Sequence, residues 1–519
     1  MPRNSSAFAL AIACALAAMS ARAADAPALY KEHCAECHGA DRFGGTGPAL
    51  LPENLGRLRP ETAVKVIAEG RPASQMGGFA DRVDADAIAA LARYIFTPIP
   101  VPQWGEREIA ASRIVHTAAN DLPAKPLHAA DPLNLFTVVE IGDHHVTILD
   151  GDRFEPLWRF PSRFALHGGA KYSPDGRFVY LASRDGWVGK YDLYGLTPVA
   201  ETRVAVNTRN IAVSGDGRYI AAGNGLPPSI VILDAVDLSV KKIIPVAGDK
   251  GKPSRVSAVY DATPRQSFIA ALRDIPELWE ISYQDNPPPV PRGLIHNYQE
   301  GQKEGEFDAG PFPVRRIKLD EAMDDFFFDQ SYTNAFGASR DGDKGQVVNL
   351  NVGRKIADVA LPGMPHLGSG ITFTYQGRAV LATPHLKEGA VSVVDMKSWT
   401  TLKRIPTPGP GFFMRGHENT PYAWVDSFFG GPAKDTLHII DTRTLEIVKT
   451  VTPAPGKTAA HVEFTRDGRY ALVSVWEDDG ALVIYDAATF AEVKRLPMKK
   501  PSGKYNVFNK ITRSAGTSH

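Results

Sequence analysis

Ser173-Pro174-Asp175-Gly176-Arg177-Phe178-Val179-Tyr180-Leu181-Ala182-Ser183, continuing as Asp185-Gly186-Trp187-Val188-Gly189-Lys190-Tyr191-Asp192-Leu193, reads as a turn, an apolar strand, a second turn and a strand ending in aspartate. Proline, aspartate and glycine set the turns, and the apolar runs are too short for helices. The unit returns near Ser214 (GDGRYIAAG, SIVILDAVDLSVKKIIPV), Thr263, Tyr332, Tyr375, Glu418 and Thr465 (RDGRYALVSVW, ALVIYDAATFAEVKRL), and Leu135 to Phe160 supplies a less regular first copy. A period of roughly 40 to 50 residues with several strands per copy is the signature of a β-propeller. Eight copies predict eight blades around a central channel. Between Glu277 and Arg316 the pattern is broken by a polar, proline-rich stretch (DNPPPVPRG, then HNYQEGQKEGEF), which predicts a surface loop rather than a blade.

The repeats begin near residue 130, and what precedes them has a different texture. Cys34-Ala35-Glu36-Cys37-His38 is a CxxCH sequence. Two cysteines at this spacing can form thioethers to the vinyl groups of a haem, and the adjacent histidine ligates the iron. A zinc site would need a second ligand pair, yet the one other cysteine, Cys14, lies in an apolar leader. A redox dithiol would want a βαβ context that is absent. From Ala28 to about Pro98 the chain resembles a class I cytochrome c. Pro60–Glu69 and 84–96 read as amphipathic helices, and Met76, in the loop between them, is the expected sixth iron ligand opposite His38. Pro98, Pro100 and Pro102 begin a stiff linker.

Upstream, Arg3, the apolar run Ala7 to Met19 and Ala21-Arg22-Ala23 form a secretory signal with cleavage near Ala23. The apolar core is too short for a stable membrane span. The expected location is therefore the periplasm, where haem is attached to CxxCH proteins. The predicted organisation is a signal over 1–23, an all-α cytochrome c domain over 24–98, a linker over 99–130 and an all-β eight-bladed propeller over 131–519. The charge balance, with 58 Lys and Arg against 58 Asp and Glu, argues against a nucleic-acid partner. Three cysteines, two of them taken by haem, leave no disulfide framework.

A class I cytochrome c joined to an eight-bladed propeller resembles the cytochrome cd1 nitrite reductase group, whose propeller holds a non-covalent d1 haem. The resemblance runs through Phe164-Ala165-Leu166-His167, Ser183-Arg184-Asp185-Gly186, Thr208-Arg209-Asn210, Met364-Pro365-His366, Thr383-Pro384-His385-Leu386 and Ser502-Gly503-Lys504-Tyr505-Asn506-Val507-Phe508-Asn509. It implies that His167 is the proximal ligand of a d1-type iron. It further implies that Arg184, Arg209 and Arg255 pair with the carboxylates of the macrocycle, for which guanidinium is suited, and that Tyr505 caps the pocket or orients the ligand.

Two features depart from the reductases. Their two distal histidines protonate bound nitrite; one matches His366, but Phe326-Phe327-Phe328-Asp329-Gln330-Ser331, where the other should stand, holds no histidine. The reductases' longer segment before the haem motif is also missing. These departures are similar to those of a sister family, the dihydro-haem d1 dehydrogenases, which oxidise one propionate of dihydro-haem d1 to the acrylate of haem d1. The resemblance then implies an oxidoreductase with one covalent haem c, dihydro-haem d1 as substrate, haem d1 as product, a periplasmic electron acceptor, and a cytochrome cd1 nitrite reductase as recipient of the product. Forming the double bond removes two electrons and two protons, so a base must stand beside the propionate. His366 and His417 are the first candidates, and His385 and His461 the second. A cytochrome cd1-type nitrite reductase, a non-catalytic d1 carrier and a pure electron-transfer cytochrome remain alternatives.

Overall fold

The computed structural model describes residues 25–45, 47–55, 58–70, 76–292, 306–338 and 344–512; the expected signal segment and its cleavage site near Ala23 lie outside them. The amino-terminal unit has four helices, α1 (Ala26–His33), α2 (Ala35–His38), α3 (Pro60–Glu69) and α4 (Ala85–Ile95). Each longer helix begins where its sequence says it should. Pro60 starts α3, where a missing N–H costs nothing, and Asp84 caps α4 by accepting from the Ala87 amide at 2.8 Å. Helix α4 buries Ile88, Leu91, Ala92 and Ile95 along one face, against Tyr30, Ala63 and Ile67. Its carboxyl end is satisfied by Arg42, which donates to the Tyr94 carbonyl at 2.6 Å and the Thr97 carbonyl at 2.9 Å.

The rest is an eight-bladed β-propeller, each blade built on four antiparallel strands. Blades 2 to 8 run from the channel outwards in chain order, starting with the innermost strands Lys171–Tyr172, Asn207–Val213, Val256–Ala262, Asp325–Phe328, Ile371–Tyr375, Met414–Arg415 and Ala459–Phe464. Blade 1 is closed differently: its innermost strand, Pro501–Asn506, comes from the far end of the chain and pairs with Leu135–Glu140, setting Tyr505 opposite Thr137. That pairing removes the open edge a ring of sheets would otherwise leave.

The burial pattern follows the layering. Middle strands such as His145–Asp150 and Tyr470–Val475 are buried almost throughout, because both their faces meet neighbouring blades, whereas outermost strands such as Arg354–Ala360 alternate exposed and covered positions. Each fully buried Val, Ile or Leu contributes about 1.5–3 kcal/mol of transfer free energy. The turn chemistry repeats as well. In the turns at Ser214 and Thr465 the hydroxyl donates to the aspartate two residues on, at 2.6 and 2.7 Å, and accepts from the amide of Tyr219 or Tyr470, while Gly217 and Gly468 supply the positive φ.

Two expectations are corrected. The stretch Glu277 to Arg316 is not wholly an insertion: Glu277–Ser282 and Val314–Lys318 are the outer two strands of blade 4, and the insertion between them carries its own hairpin, Val290–Arg292 with Glu306–Asp308. Nor is 99–130 a bare spacer. It forms helix α5 (Glu106–Ser112), whose Ile109 is buried in the core between blades 2 and 3, and a short strand, Ile114–Val115, that adds a fifth strand to blade 2. Trp104 donates to the Arg203 carbonyl at 2.9 Å, so the segment is fastened to the propeller along its length.

In an up-and-down blade, every innermost strand starts at the same face of the ring. This entry face carries the connections between blades and the turns after each second strand; the opposite, exit face carries the turns after each innermost strand. The helical domain docks on the entry face. Asp185, in a blade 2 turn, accepts from the Ala49 amide at 3.1 Å and from Asn54 Nδ2 at 2.9 Å, and Arg203 donates to the Phe43 carbonyl.

Candidate functional site

The first centre is in the helical domain. His38 Nδ1 is bonded to the Pro48 carbonyl at 2.7 Å, which fixes the ring and leaves Nε2 for a metal. Burial lowers its pKa and favours the neutral, ligating imidazole. A Cβ on Gly47 would lie 2.8 Å from the His38 ring, so glycine is what lets the loop lie flat against it. Neither Cys34 nor Cys37 is in a disulfide, and among the described residues no group of three His, Cys, Asp or Glu side chains forms a bare-ion site. Paired thiols beside an oriented histidine fit a covalently attached haem. Met76 packs against the same apolar cluster as Cys34. Replacing Met76 by Ala is expected to leave haem c attached. Its potential should drop on the order of 0.1 V, out of the roughly 0.8 V that axial ligation spans, with loss of the sulfur–iron absorption band. Redox titration checks this, and an unchanged potential would exclude Met76 as ligand.

The second centre is the entry-face mouth of the propeller channel. His167 stands in the connection between blades 1 and 2, its Nδ1 bonded to the Arg209 carbonyl at 2.7 Å and its Nε2 3.4 Å from Arg209 Nη1. The loop is pinned by His167 N donating to the Ala182 carbonyl and Arg184 N to the Ala165 carbonyl. Arg209 also donates through Nε to the Ser257 carbonyl at 2.8 Å, which places its guanidinium across blades 3 and 4 beside His167. Arg184 is half-buried in the adjoining turn. A fixed imidazole with arginines around it is what an iron tetrapyrrole bearing carboxylates requires.

Across the mouth, His366 is held by a 2.6 Å bond from Nδ1 to the Phe412 carbonyl, and its ring stacks on Phe412 at 4.2 Å. Asp426 organises this side. Its buried carboxylate accepts from the amides of Phe412 (2.7 Å), Phe413 (3.1 Å) and His461 (3.1 Å), and burial pushes its pKa up to about 6. His461 sits at a bulge in the innermost strand of blade 8, with φ of 50°. Such a bulge re-aims a side chain. Its ring packs 5.3 Å from that of Tyr505, and Lys504 donates to the His461 carbonyl. Tyr505 is itself cradled by glycines: a Cβ on Gly169 would come within 2.9 Å of its ring, and one on Gly503 within 2.4 Å of its hydroxyl. Burial keeps His366 and His461 neutral, Lys504 and Arg415 adding to the effect at His461, and raises the Tyr505 phenol to about 12.

One residue expected at this mouth is placed elsewhere. His417 follows the innermost strand of blade 7, on the exit face. It is buried against Phe464 and Gly468, and its Nδ1 accepts from the Asn419 amide at 3.1 Å. His385 is fully buried inside blade 6, with Nε2 bonded to Ser392 Oγ at 2.8 Å. Arg255 stands on the entry face just before the innermost strand of blade 4 and binds Asp274 through Nε and Nη2, at 2.9 and 2.6 Å. Phe326, Phe327 and Phe328 form the innermost strand of blade 5 and pack into the inter-blade cores. Asp426 and Phe412 escaped the sequence reading; a lone carboxylate closing the apolar run Ala423-Trp424-Val425 was the available signal.

The chain matches the family described as Cytochrome D1 heme domain over residues 130–510, and that described as Cytochrome C oxidase, cbb3-type, subunit III over residues 21–95. It is 54% identical over 502 residues to a dihydro-heme d1 dehydrogenase of Pseudomonas aeruginosa, covering 96% of this chain and 97% of that one. It is 26% identical over 538 residues to a nitrite reductase of Stutzerimonas stutzeri, covering 93% and 92%. Among solved structures, dihydro-heme d1 dehydrogenase NirN in complex with DHE superposes with a TM-score of 0.87 at 54% identity, over 93% of this chain and 99% of that chain.

Proposed function

Because this chain belongs to the cytochrome d1 haem domain family and carries a cytochrome c domain ahead of it, we propose that it is a dihydro-haem d1 dehydrogenase. It is an oxidoreductase that takes one propionate of dihydro-haem d1 to the acrylate of haem d1. The observation that carries this reading within the site is the acid–base set at the mouth. His366, His461 and Tyr505 face the position that His167 assigns to the substrate, while the Phe326–Phe328 strand, turned into the cores, brings no second distal imidazole. Nitrite reduction needs two protons delivered to one bound anion. Desaturation needs a base beside one carbon and an outlet for electrons.

The chain's own groups divide the work. His167 Nε2, oriented by the Arg209 carbonyl, holds the iron of the substrate. Arg184 and Arg209 pair with its carboxylates. His366 and His461, both kept neutral by burial, accept protons released beside the propionate, and Tyr505 orients that edge. Haem c, held by Cys34, Cys37, His38 and Met76, supplies a one-electron acceptor. The docking of its domain on the entry face through Asp185, Asn54 and Arg203 puts that acceptor on the side of the ring where the substrate enters.

Export to the periplasm is part of this reading, supported by the haem motif and the leader sequence; no helix among the described residues is long and apolar enough to cross a membrane. The electron acceptor is a periplasmic one-electron carrier, and the product passes to a cytochrome cd1 nitrite reductase. The test is direct. Purified protein given dihydro-haem d1 and an oxidant should produce the spectrum of haem d1, while the d1-loaded protein should turn nitrite over at least about a hundredfold more slowly than it oxidises its substrate. Equal rates would move the assignment to the reductase, and binding without conversion to a carrier.

A further inference from the structure

Building on that reading, we propose that Lys510 is the proton outlet of the site, passing the protons that His461 takes up beside Tyr505 to a cavity on the exit face. Desaturation breaks two C–H bonds and forms one C=C bond. Two electrons leave one at a time through haem c to the external carrier, and two protons must reach bulk water. The entry face is a poor route, because the bound macrocycle and the docked helical domain lie across it.

The channel below the mouth offers another route. Lys510, in the closing helix α6 (Val507–Thr512), brings Nζ to 5.5 Å from the centre of the Tyr505 ring on one side. On the other side Lys510 lines a cavity of about 200 Å³ with Lys171, Tyr260, Asp261 and Ser214. That volume holds several waters. The cavity walls come from the innermost strands of blades 2, 3 and 4 and the turns that follow them, and Pro174 in one of those turns is exposed, which sets the cavity towards the exit face. Lys510 thus belongs to both the Tyr505 environment and the cavity, as does Tyr172, whose hydroxyl donates to the Tyr505 carbonyl. Lys510 faces Tyr505 from the closing strand, Arg415 from blade 7, Glu463 from blade 8 and Lys171 from blade 2. Burial, with Arg415 and Lys171 nearby and Glu463 opposing, holds its ammonium pKa well below the usual range. An amine of that kind takes up a proton and releases it to water, whereas an ordinary surface lysine stays charged. Lys510 does not touch the propionate; it acts through His461.

The experiment compares Lys510→Met and Lys510→Arg with the wild type in single-turnover oxidation of dihydro-haem d1, following haem c reduction, d1 formation and proton release to a pH dye. Affinity for dihydro-haem d1 is measured alongside. Both variants should bind substrate as the wild type does and turn over about tenfold or more slowly, with proton release lagging haem c reduction. Arginine keeps the positive charge but cannot deprotonate, so it separates a relay from a merely structural cation, and it tests the relay even if the methionine variant fails to fold. Small primary amines, methylamine or ethylamine, should restore part of the Lys510→Met rate. Undiminished turnover and prompt proton release in Lys510→Arg would overturn the relay. A wild type that makes no haem d1 would instead overturn the functional reading on which it rests.

Discussion

Replacing His167 by Ala is expected to weaken binding of dihydro-haem d1 by about a hundredfold or more, which is roughly 3 kcal/mol. On the proposed reading, the substrate loses the imidazole that would hold its iron. His167 Nδ1 is held at 2.7 Å by the Arg209 carbonyl, so Nε2 is presented in one orientation and little freedom is lost on ligation. The loop itself should persist in the variant. Its backbone is fixed by His167 N to Ala182 O and Arg184 N to Ala165 O, bonds that an alanine keeps. The melting temperature should therefore move little while the visible titration collapses. Full affinity with an unaltered iron spectrum would show that the iron is held by another group.

Most of the fold was legible because the propeller writes its plan locally. Turns of the Asp-Gly-Arg kind and apolar strands ending in aspartate can be found one blade at a time, and each copy confirms the others. The CxxCH motif and the Pro60 and Asp84 helix starts are equally local. What was not legible depends on contacts distant in sequence. The Glu277–Ser282 and Val314–Lys318 strands pair across an insertion of about thirty residues, so the polar stretch between them hid the outermost strand of blade 4. The docking of Ile109 between blades 2 and 3 could not be read from a proline-rich segment whose partners lie some 70 residues away or more.

The site divides along the same line. His167, Arg184, Arg209, His366 and Tyr505 lie in segments whose place at the mouth follows from the blade order. His417 was misplaced because the innermost strand of blade 7 is only Met414–Arg415, and a strand that short gives no clue to which end of it a neighbouring loop belongs. Its apparent kinship with His366 is a matter of residue type. His461 was undervalued for the opposite reason: it lies inside a strand, where an imidazole normally packs in a core, and only the bulge at φ of 50° and the Asp426 bond turn it towards Tyr505.

That division can be measured in one series of variants. His366→Ala and Tyr505→Phe should each slow dihydro-haem d1 oxidation by about a hundredfold or more, while His417→Ala should leave it within about twofold. The first removes an imidazole that faces the mouth, is kept neutral by burial, and is fixed by Phe412 through both a 2.6 Å bond and ring stacking. On the proposed reading, its loss takes away a base whose position needs no reorganisation during the reaction. The second removes a hydroxyl set between Gly169 and Gly503, leaving the ring and its packing in place, so substrate affinity should change far less than rate. His417→Ala acts on a different quantity. It opens a space beside Phe464 and Gly468 on the exit face, which should lower stability by about 1–3 kcal/mol and the melting temperature with it. Because the unfolding cost and the rate cost fall on different variants, the pattern cannot arise from general loss of folded protein. A His417→Ala enzyme as slow as the other two, at full substrate occupancy, would return His417 to the reaction and require a path between the two faces of the ring.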